Sequence, residues 1–339
     1  MAVSETRNKE QAHVGDETAL LVERLSIEIS RSHGAALAVE DVSFELTNGE
    51  ILCIVGESGC GKTLTCLAIM RLLPPIARSV AGRILLGNED LAALSDRQMR
   101  VRRGNDISMI FQEPMTALDP SFKIGHQLVE TYVSHKPASK AVARQRAVEL
   151  LELVGIPDGK RRLEDYPHQF SGGMRQRIVI AMALMMEPKV LIADEPTTAL
   201  DVTIQAQILD LIRDLRDQLG MSVLLITHDL GVVNEIADRV VVMYAGEIVE
   251  SAPVVQLFSD PRHPYTQGLL RSMPSLTPAG HRLPVIAGRV PDIYAFPPTC
   301  RFSPRCPNRG TRCDESHPAL DSTEHHRELR CFYPTPFKS

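Results

Sequence analysis

The sequence lacks the features that mark membrane-spanning, secreted or nucleic-acid-binding proteins. It has no run of about 18 apolar residues, the length that a membrane-spanning helix needs. Residues 1–17 are polar and mixed in charge, without the apolar core of a secretion signal, and we expect a flexible tail there. The net charge of −5 gives no electrostatic reason to expect a nucleic-acid partner. These absences predict a cytoplasmic protein.

Cysteine is also scarce, with seven residues in the chain, and its distribution is uneven. The last forty residues contain four of them: Cys300, Cys306, Cys313 and Cys331. Disulfides are disfavoured in a reducing cytoplasm. Zinc sites usually contain two cysteines separated by about two to four residues, and this sequence has no such pair. Four thiolates on proline-bearing loops can instead hold an iron–sulfur cluster. The residues alone therefore leave iron–sulfur, zinc and free thiols open.

The composition and patterning are those of a globular α/β protein. Hydrophobic residues make up 44% and charged residues 23% of the chain, values that are typical of a globular protein. The length of 339 residues is enough for two domains or for one domain with an added region. Alternating apolar positions predict strands within residues 18–55, and apolar runs predict buried strands at 107–111, 190–193 and 222–227. Because strands alternate with helices, we expect a parallel sheet with helices on both faces.

Two regions depart from this alternation. Residues 125–155 and 172–187 have helical patterns and predict a helical insertion. The buried face of the first is expected to contain Val142, Ala147, Leu150, Leu151 and Val154. Another helix is predicted at 202–219, ended by Gly220. From Pro253 onward the chain is rich in proline and predicts a separate, loop-rich region.

One glycine-rich loop has the pattern of a phosphate-binding loop, because it follows an apolar strand and opens a predicted helix. It consists of Gly56, Glu57, Ser58, Gly59, Cys60, Gly61, Lys62 and Thr63. Glycines let successive backbone N–H groups surround a phosphate, and the helix N-terminus adds partial positive charge. Lys62 can reach the β- and γ-phosphates, and the Thr63 hydroxyl can join a Mg²⁺ shell. The loop predicts a nucleotide site.

Further candidate residues follow predicted strands or open a helix. Asp194 and Glu195 come after a buried strand, where one carboxylate can hold Mg²⁺ and the other can polarise a water for attack on a γ-phosphate. His228 follows another strand and can contact the γ-phosphate or that water, although a single histidine is more often structural. Residues 171–173, Ser-Gly-Gly, open a helix and form a second candidate anion site.

The identity, order and spacing of these motifs resemble the ATP-binding subunit of an ABC transporter. The motifs are Gly56–Thr63, Gln112, Ser171–Gly173, Asp194–Glu195, Asp201 and His228. The resemblance implies an α/β fold with a P-loop ATPase core, an antiparallel β subdomain and a helical subdomain at about 115–187. The nucleotide-binding domain would span 18–252, after the tail at 1–17, and a loop-rich C-terminal appendage would span 253–339.

Such ATPases work as head-to-tail pairs, so the resemblance implies that one chain closes the ATP site of another. The residues expected to face the partner's ATP are Ser171, Gly172, Gly173 and Met174. The family usually has Leu-Ser-Gly-Gly-Gln here; Phe170 and Met174 depart from it, but the anion-facing serine and glycines remain. Asp201 resembles the aspartate of the D-loop, which crosses the seam between the two chains.

The resemblance also assigns catalytic roles. Glu195 resembles the catalytic base and His228 the switch histidine. Gln112 resembles the glutamine that links Mg²⁺ and the attacking water to the membrane subunits. Thr63 and Asp194 complete the expected Mg²⁺ site.

The aromatic residue that stacks on adenine in this family is harder to place. His33, just before Gly34, falls where that residue would align, and imidazole can stack, although more weakly than tyrosine or tryptophan. An ordinary exposed loop histidine is the alternative.

Two segments narrow the resemblance to the dipeptide, oligopeptide and nickel importers: Glu113–Pro120 and His263–Leu270. Importers of this group pair two different ATPase chains with two membrane permease subunits and an extracytoplasmic solute-binding protein. Some members carry a [4Fe–4S] cluster in the C-terminal appendage. The cysteines that resemble its ligands are Cys300, Cys306, Cys313 and Cys331.

The resulting hypothesis is an ATPase subunit that binds ATP and Mg²⁺ and hydrolyses ATP to drive import of di- or oligopeptides. It would lie on the cytoplasmic face of the membrane, as a peripheral subunit without a nucleic-acid partner. Nickel or another small solute is the alternative cargo. A non-transport ABC ATPase acting on DNA or ribosomes is disfavoured, because the chain has one cassette and no long insertion. Electron transfer as the main role is disfavoured by the complete ATPase motif set.

Overall fold

The structure, a computed structural model, describes residues 17–31, 34–112, 117–198, 200–273, 284–323 and 327–336. In these residues the strands are β1 Thr18–Arg31, β2 Gly34–Thr47, β3 Ile51–Val55, β4 Ala77–Leu86, β5 Glu89–Asp90, β6 Ile107–Ile110, β7 Val190–Asp194, β8 Ser222–Thr227, β9 Arg239–Tyr244, β10 Glu247–Pro253, β11 Asp321–Thr323 and β12 Arg327–Leu329. The helices are α1 Lys62–Ile69, α2 Asp96–Arg102, α3 Ile124–Val133, α4 Lys140–Leu153, α5 Gly159–Arg162, α6 Gly172–Ala183, α7 Val202–Leu219, α8 Leu230–Ile236, α9 Val254–Ser259, α10 Pro264–Arg271 and α11 Arg312–Glu315.

The larger sheet has the strand order β11-β12-β10-β9-β3-β8-β7-β6. Its strands β9, β3, β8, β7 and β6 are parallel, as the alternation of strands and helices predicts. Every residue of β3, β7 and β8 is buried, which explains why these strands read as continuous apolar runs rather than alternating ones. Because β3, β6, β7 and β8 are parallel, their carboxyl ends meet along one edge of the sheet.

The smaller sheet is antiparallel, with the order β2-β1-β4-β5. Its apolar residues alternate with polar ones, and Leu20, Val22 and Ile27 are fully buried. They share a core with Leu52 and Ile54 of β3, on the face of the larger sheet that also contacts α1. This sheet thus holds the strand and helix on either side of the glycine-rich loop.

The predicted helical insertion is confirmed as α3, α4, α5 and α6. Its predicted buried face is confirmed at Ala147, Leu150, Leu151 and Val154, but it was wrong at Val142. Val142 is 53% exposed, whereas Ala143 is buried. Positions 143, 147, 150 and 154 follow the helical spacing of three and four residues, and position 142 lies to the side of that stripe. The predicted end of α7 is confirmed: Gly220 caps the helix in the left-handed conformation, at φ 65°.

The region after Pro253 is not separate from the rest of the chain, contrary to the expectation from its proline content. Strand β12 pairs with β10 and so extends the larger sheet. Tyr265, Leu270 and Phe302 are buried in the same core as β3 and β8. Apolar residues that look sparse in the sequence are concentrated at these contacts. Among the described helices, none combines the length and apolarity needed to cross a membrane.

Candidate functional site

The glycine-rich loop connects β3 to α1, as predicted, and packing dictates its first glycine. A Cβ on Gly56 would lie 2.2 Å from the Met243 carbonyl oxygen and 2.8 Å from Cys60 Sγ. Gly61, which precedes α1, has φ 104°, a conformation that favours glycine. Neither residue can be replaced without moving backbone. The backbone of the loop is therefore packed closely against the sheet, and the loop ends at the N-terminus of α1.

Lys62 and Thr63 begin α1, and their side chains contact different parts of the site. The Lys62 side chain is buried, and its Nζ donates hydrogen bonds to the carbonyl oxygens of Gly56 at 2.7 Å and Glu57 at 3.1 Å. The ammonium therefore lies within the loop itself. The Thr63 hydroxyl donates to Asp194 Oδ1 at 3.2 Å. This bond joins the loop to the end of β7, as the predicted Mg²⁺ site requires.

The donor set at Thr63 and Asp194 fits Mg²⁺, because a hydroxyl and a carboxylate are the hard oxygen ligands that this ion takes. Burial raises the pKa of Asp194, and the adjacent Glu195 charge adds to the rise. The hydrogen bond from Thr63 and the charge of Lys62 oppose it. A divalent cation at this carboxylate would favour its ionised form.

Two predicted residues, Gln112 and His228, converge on Glu195. Its Oε2 accepts a hydrogen bond from Gln112 Nε2 at 3.2 Å and lies 3.3 Å from His228 Nδ1. It also accepts a bond from the Thr198 hydroxyl at 2.9 Å. Thr198 is not among the residues predicted from the sequence, although its position three residues after the acid is a local signal. In this arrangement Gln112 contacts Glu195, where the resemblance predicts a link to Mg²⁺.

The Glu195 backbone is strained, with φ 47° in the left-handed region. Such a conformation costs on the order of 1 kcal/mol for a residue with a side chain and is often found at functional sites. Its N–H donates to the Ile226 carbonyl at 2.9 Å, which fixes the turn against β8. The carboxylate is largely shielded, with 16% of the side chain exposed, while His228 is 63% exposed. The acid is thus rigidly placed beside a more open histidine.

The second candidate anion site lies at the start of α6. Ser171 caps this helix by accepting a hydrogen bond from the Met174 N–H at 3.3 Å. A Cβ on Gly173 would lie 2.7 Å from Ile204 Cγ2 of α7. Asp201 caps α7 by accepting from the Ile204 N–H at 3.0 Å. The two helix starts that are predicted to face a partner chain are therefore packed against each other.

Three predictions fall on residues outside those that the structure describes. They are the tail at 1–17, of which Glu17 alone is described; His33, the candidate adenine-stacking residue; and Glu113–Thr116 of the first importer segment.

The four late cysteines are free and lie close enough to influence one another. Burial raises the pKa of Cys300 to about 11, and the charges of Cys313 and Cys306 add to the rise. Burial also raises the pKa of Cys331 to about 12, with contributions from the other three thiols. The donor set, sulfur alone, suits iron–sulfur or zinc chemistry. Across the described parts of the chain, however, no three His, Cys, Asp or Glu side chains are placed to hold a metal ion.

Comparison with known proteins shows that the chain belongs to the ABC transporter family, as an ATPase. The family described as ABC transporter matches residues 39–198, and that described as oligopeptide/dipeptide transporter, C-terminal region, matches residues 249–313. The chain is 53% identical over 317 residues to the dipeptide transport ATP-binding protein DppD of Bacillus subtilis, covering 93% of this chain and 95% of that protein. It is 49% identical to the oligopeptide transport ATP-binding protein AppD of the same organism, covering 93% and 96%.

Solved structures confirm the predicted fold. A dimeric structure of the ATP-binding cassette MJ0796, in a post-hydrolysis state with ADP and Pi, matches with a TM-score of 0.62 and 25% identity. It covers 69% of this chain and 98% of that one. CbiO1 of Clostridium perfringens, part of the transporter complex CbiONQ, matches with a TM-score of 0.62 and 28% identity, covering 72% and 91%.

The position of Glu195 generates a first prediction. Replacing Glu195 by Gln keeps the hydrogen-bonding shape but removes the carboxylate that is predicted to act as base, so ATP binding is expected to persist while hydrolysis falls by at least about 100-fold. Phosphate release and fluorescent-nucleotide binding measure the two effects. Glu149→Gln, a half-exposed surface change, is the matched control. Hydrolysis at the wild-type rate in Glu195→Gln would refute the role of Glu195 as base.

Proposed function

We propose that this chain is the ATPase subunit of an importer for di- or oligopeptides. The observation that carries the proposal is the pair of family matches, one to the cassette and one to the oligopeptide/dipeptide transporter C-terminal region. Both named relatives are peptide transport ATP-binding proteins, and each aligns over 93% of this chain. The division into a nucleotide-binding domain at 18–252, with its helical subdomain at about 115–187, and an importer-type region at 253–339 belongs to the same proposal.

In the proposed mechanism, the loop N–H groups and Lys62 bind the phosphates of ATP. Thr63 and Asp194 would hold Mg²⁺, which supplies charge stabilisation for the phosphoryl group when it is bound. Glu195 would accept the proton of the attacking water. Gln112 and His228 contact the Glu195 carboxylate, which supports a role for both in orienting it and the water.

The reciprocal arrangement is also part of the proposal. Ser171, Gly172, Gly173 and Met174 would cover the γ-phosphate in the loop of a second, homologous ATPase subunit, and Asp201 would lie at the seam. The packing of α6 against α7 supports this, because it would let both helix starts move as one surface. ATP binding would close the pair and hydrolysis would reopen it. His33 remains the candidate for adenine stacking.

The wider complex follows from the importer assignment. Two membrane permease subunits would receive the ATPase pair on their cytoplasmic face, and an extracytoplasmic binding protein would deliver the solute. The solute would not contact this chain, so its identity must be tested by transport.

Transport is tested in cells that lack this gene and every other peptide importer. Wild-type chain is expected to restore uptake of a labelled dipeptide, and Glu195→Gln is expected to abolish it, because closure without hydrolysis cannot complete a cycle. Nickel uptake is measured in the same strains. Restoration of nickel uptake without dipeptide uptake would establish the alternative cargo and overturn the peptide assignment.

We further propose that Cys300, Cys306, Cys313 and Cys331 hold a [4Fe–4S] cluster. Their all-sulfur donor set supports the proposal, and their charges affect one another's pKa. The proposal requires the four thiols to draw together when the cluster binds. Cluster binding would release the thiol protons to solvent, and the iron–thiolate bonds would offset the high pKa values of the thiols.

The cluster proposal is tested on the full chain purified without oxygen. About four iron and four sulfide ions per chain are expected, and Cys331→Ser should lower both. Cys53→Ala, a change in β3 outside the group, should leave both unchanged. A preparation that contains one zinc per chain and no iron would refute the cluster.

A further inference from the structure

Glu57, in the glycine-rich loop, is held by the C-terminal region through two of its polar groups. Its carboxylate accepts two hydrogen bonds from Arg305, Nη1 to Oε2 at 2.6 Å and Nη2 to Oε1 at 2.9 Å. Its backbone N–H donates to the Tyr265 hydroxyl at 2.9 Å. Its carbonyl accepts the bond from Lys62 described above. Each polar group of Glu57 therefore has a defined partner.

Arg305 is itself fixed on several sides. Its side chain is 4% exposed, against 30% for Glu57, and its Nε donates to the Ala287 carbonyl at 2.9 Å. Its guanidinium lies 5.6 Å from the centre of the Tyr244 ring. A bidentate Arg–carboxylate pair is directional as well as strong. Because Arg305 is buried and held by its neighbours, it defines the position of the Glu57 side chain rather than following it.

The segment that precedes Arg305 is anchored to the end of β9 and to the residue that follows it. Phe302 packs against Tyr244 and Tyr265, with ring centres 5.1 and 5.4 Å apart. Arg301 donates to the Ala245 carbonyl at 2.6 Å and forms ion pairs with glutamates of β2 and β10. Residues 300–306 thus form a short span that is clamped to the cassette through Arg301 and Phe302, on the N-terminal side of Arg305.

The charge of Arg305 matters for the ligand as well. Glu57 places a carboxylate in a loop that binds the negative phosphates of ATP. Without a partner, this carboxylate would repel them in a partly shielded site, where charge interactions are stronger than in water. Arg305 neutralises it and holds it in one place.

We propose that Arg305, acting through Glu57, is a positioning residue of the phosphate loop, so that the C-terminal region is part of the ATP site. The proposal concerns ATP affinity and holds whichever solute the transporter carries. Its failure is therefore distinguishable from failure of the peptide assignment.

The test measures ATP affinity of the purified full chain by fluorescent-nucleotide titration, with thermal unfolding as the check on folding. Arg305→Gln is expected to weaken ATP binding about tenfold, because it leaves the Glu57 charge unpaired. The double variant Glu57→Gln/Arg305→Gln removes both charges and should recover most of the loss. Arg309→Ala, which breaks a half-exposed pair with Asp314 in the same region, is the matched control and should bind ATP as wild type does.

Two results would overturn the proposal: ATP binding by Arg305→Gln within twofold of wild type, or a double variant as weak as the single one. The second would mean that Arg305 acts through packing alone. If Arg305→Gln does not fold, Arg305→Lys decides the question, since it keeps the charge but loses the paired geometry. About threefold weaker binding in that variant supports the proposal, and unchanged binding contradicts it.

Discussion

The parallel register of β3, β8 and β7 is the constraint on which the ATP site depends. These three strands end at one level of the sheet, with Asp194 paired to Ile226. The residues that follow them are Gly56, His228 and Glu195. A slip of one residue in β7 would turn Asp194 to the opposite face and separate it from the Thr63 hydroxyl. The register of these strands is thus as necessary to the site as the polar residues that follow them.

The glycine-rich loop and the helix ends could be predicted from the sequence, because residues close together in the chain specify them. A strand, a glycine loop and a helix within about twenty residues specify the loop, and Gly220 marks the end of α7 by its own conformation. The error at Val142 shows the limit of such a prediction, because an apolar residue at the edge of a helical stripe can be exposed while its smaller neighbour Ala143 is buried. Gln112 and His228 contact Glu195 because β6 and β8 lie on either side of β7 in the sheet. No residue close to them in the sequence indicates these contacts.

The C-terminal region was misjudged for a different physical reason. Its proline content and sparse apolar residues predict an independent, loop-rich unit, because such a segment cannot bury a large core alone. The structure meets the same requirement by placing Tyr265 and Phe302 in the core of the cassette and β12 on its sheet. Composition describes what a segment contains, but it carries no information on which surface will cover those few large side chains.

The pairing of Glu57 with Arg305 joins residues 248 positions apart, and no local pattern announces it. It makes the cassette and the C-terminal region mutually dependent: Arg305 of the later segment neutralises the carboxylate of the loop, and that segment is anchored in turn by Tyr244 and Ala245 of the cassette. Cys306 directly follows Arg305, and Cys300 begins the same clamped span. The two thiols and the arginine that pairs with the phosphate loop therefore lie in the same short span of the chain.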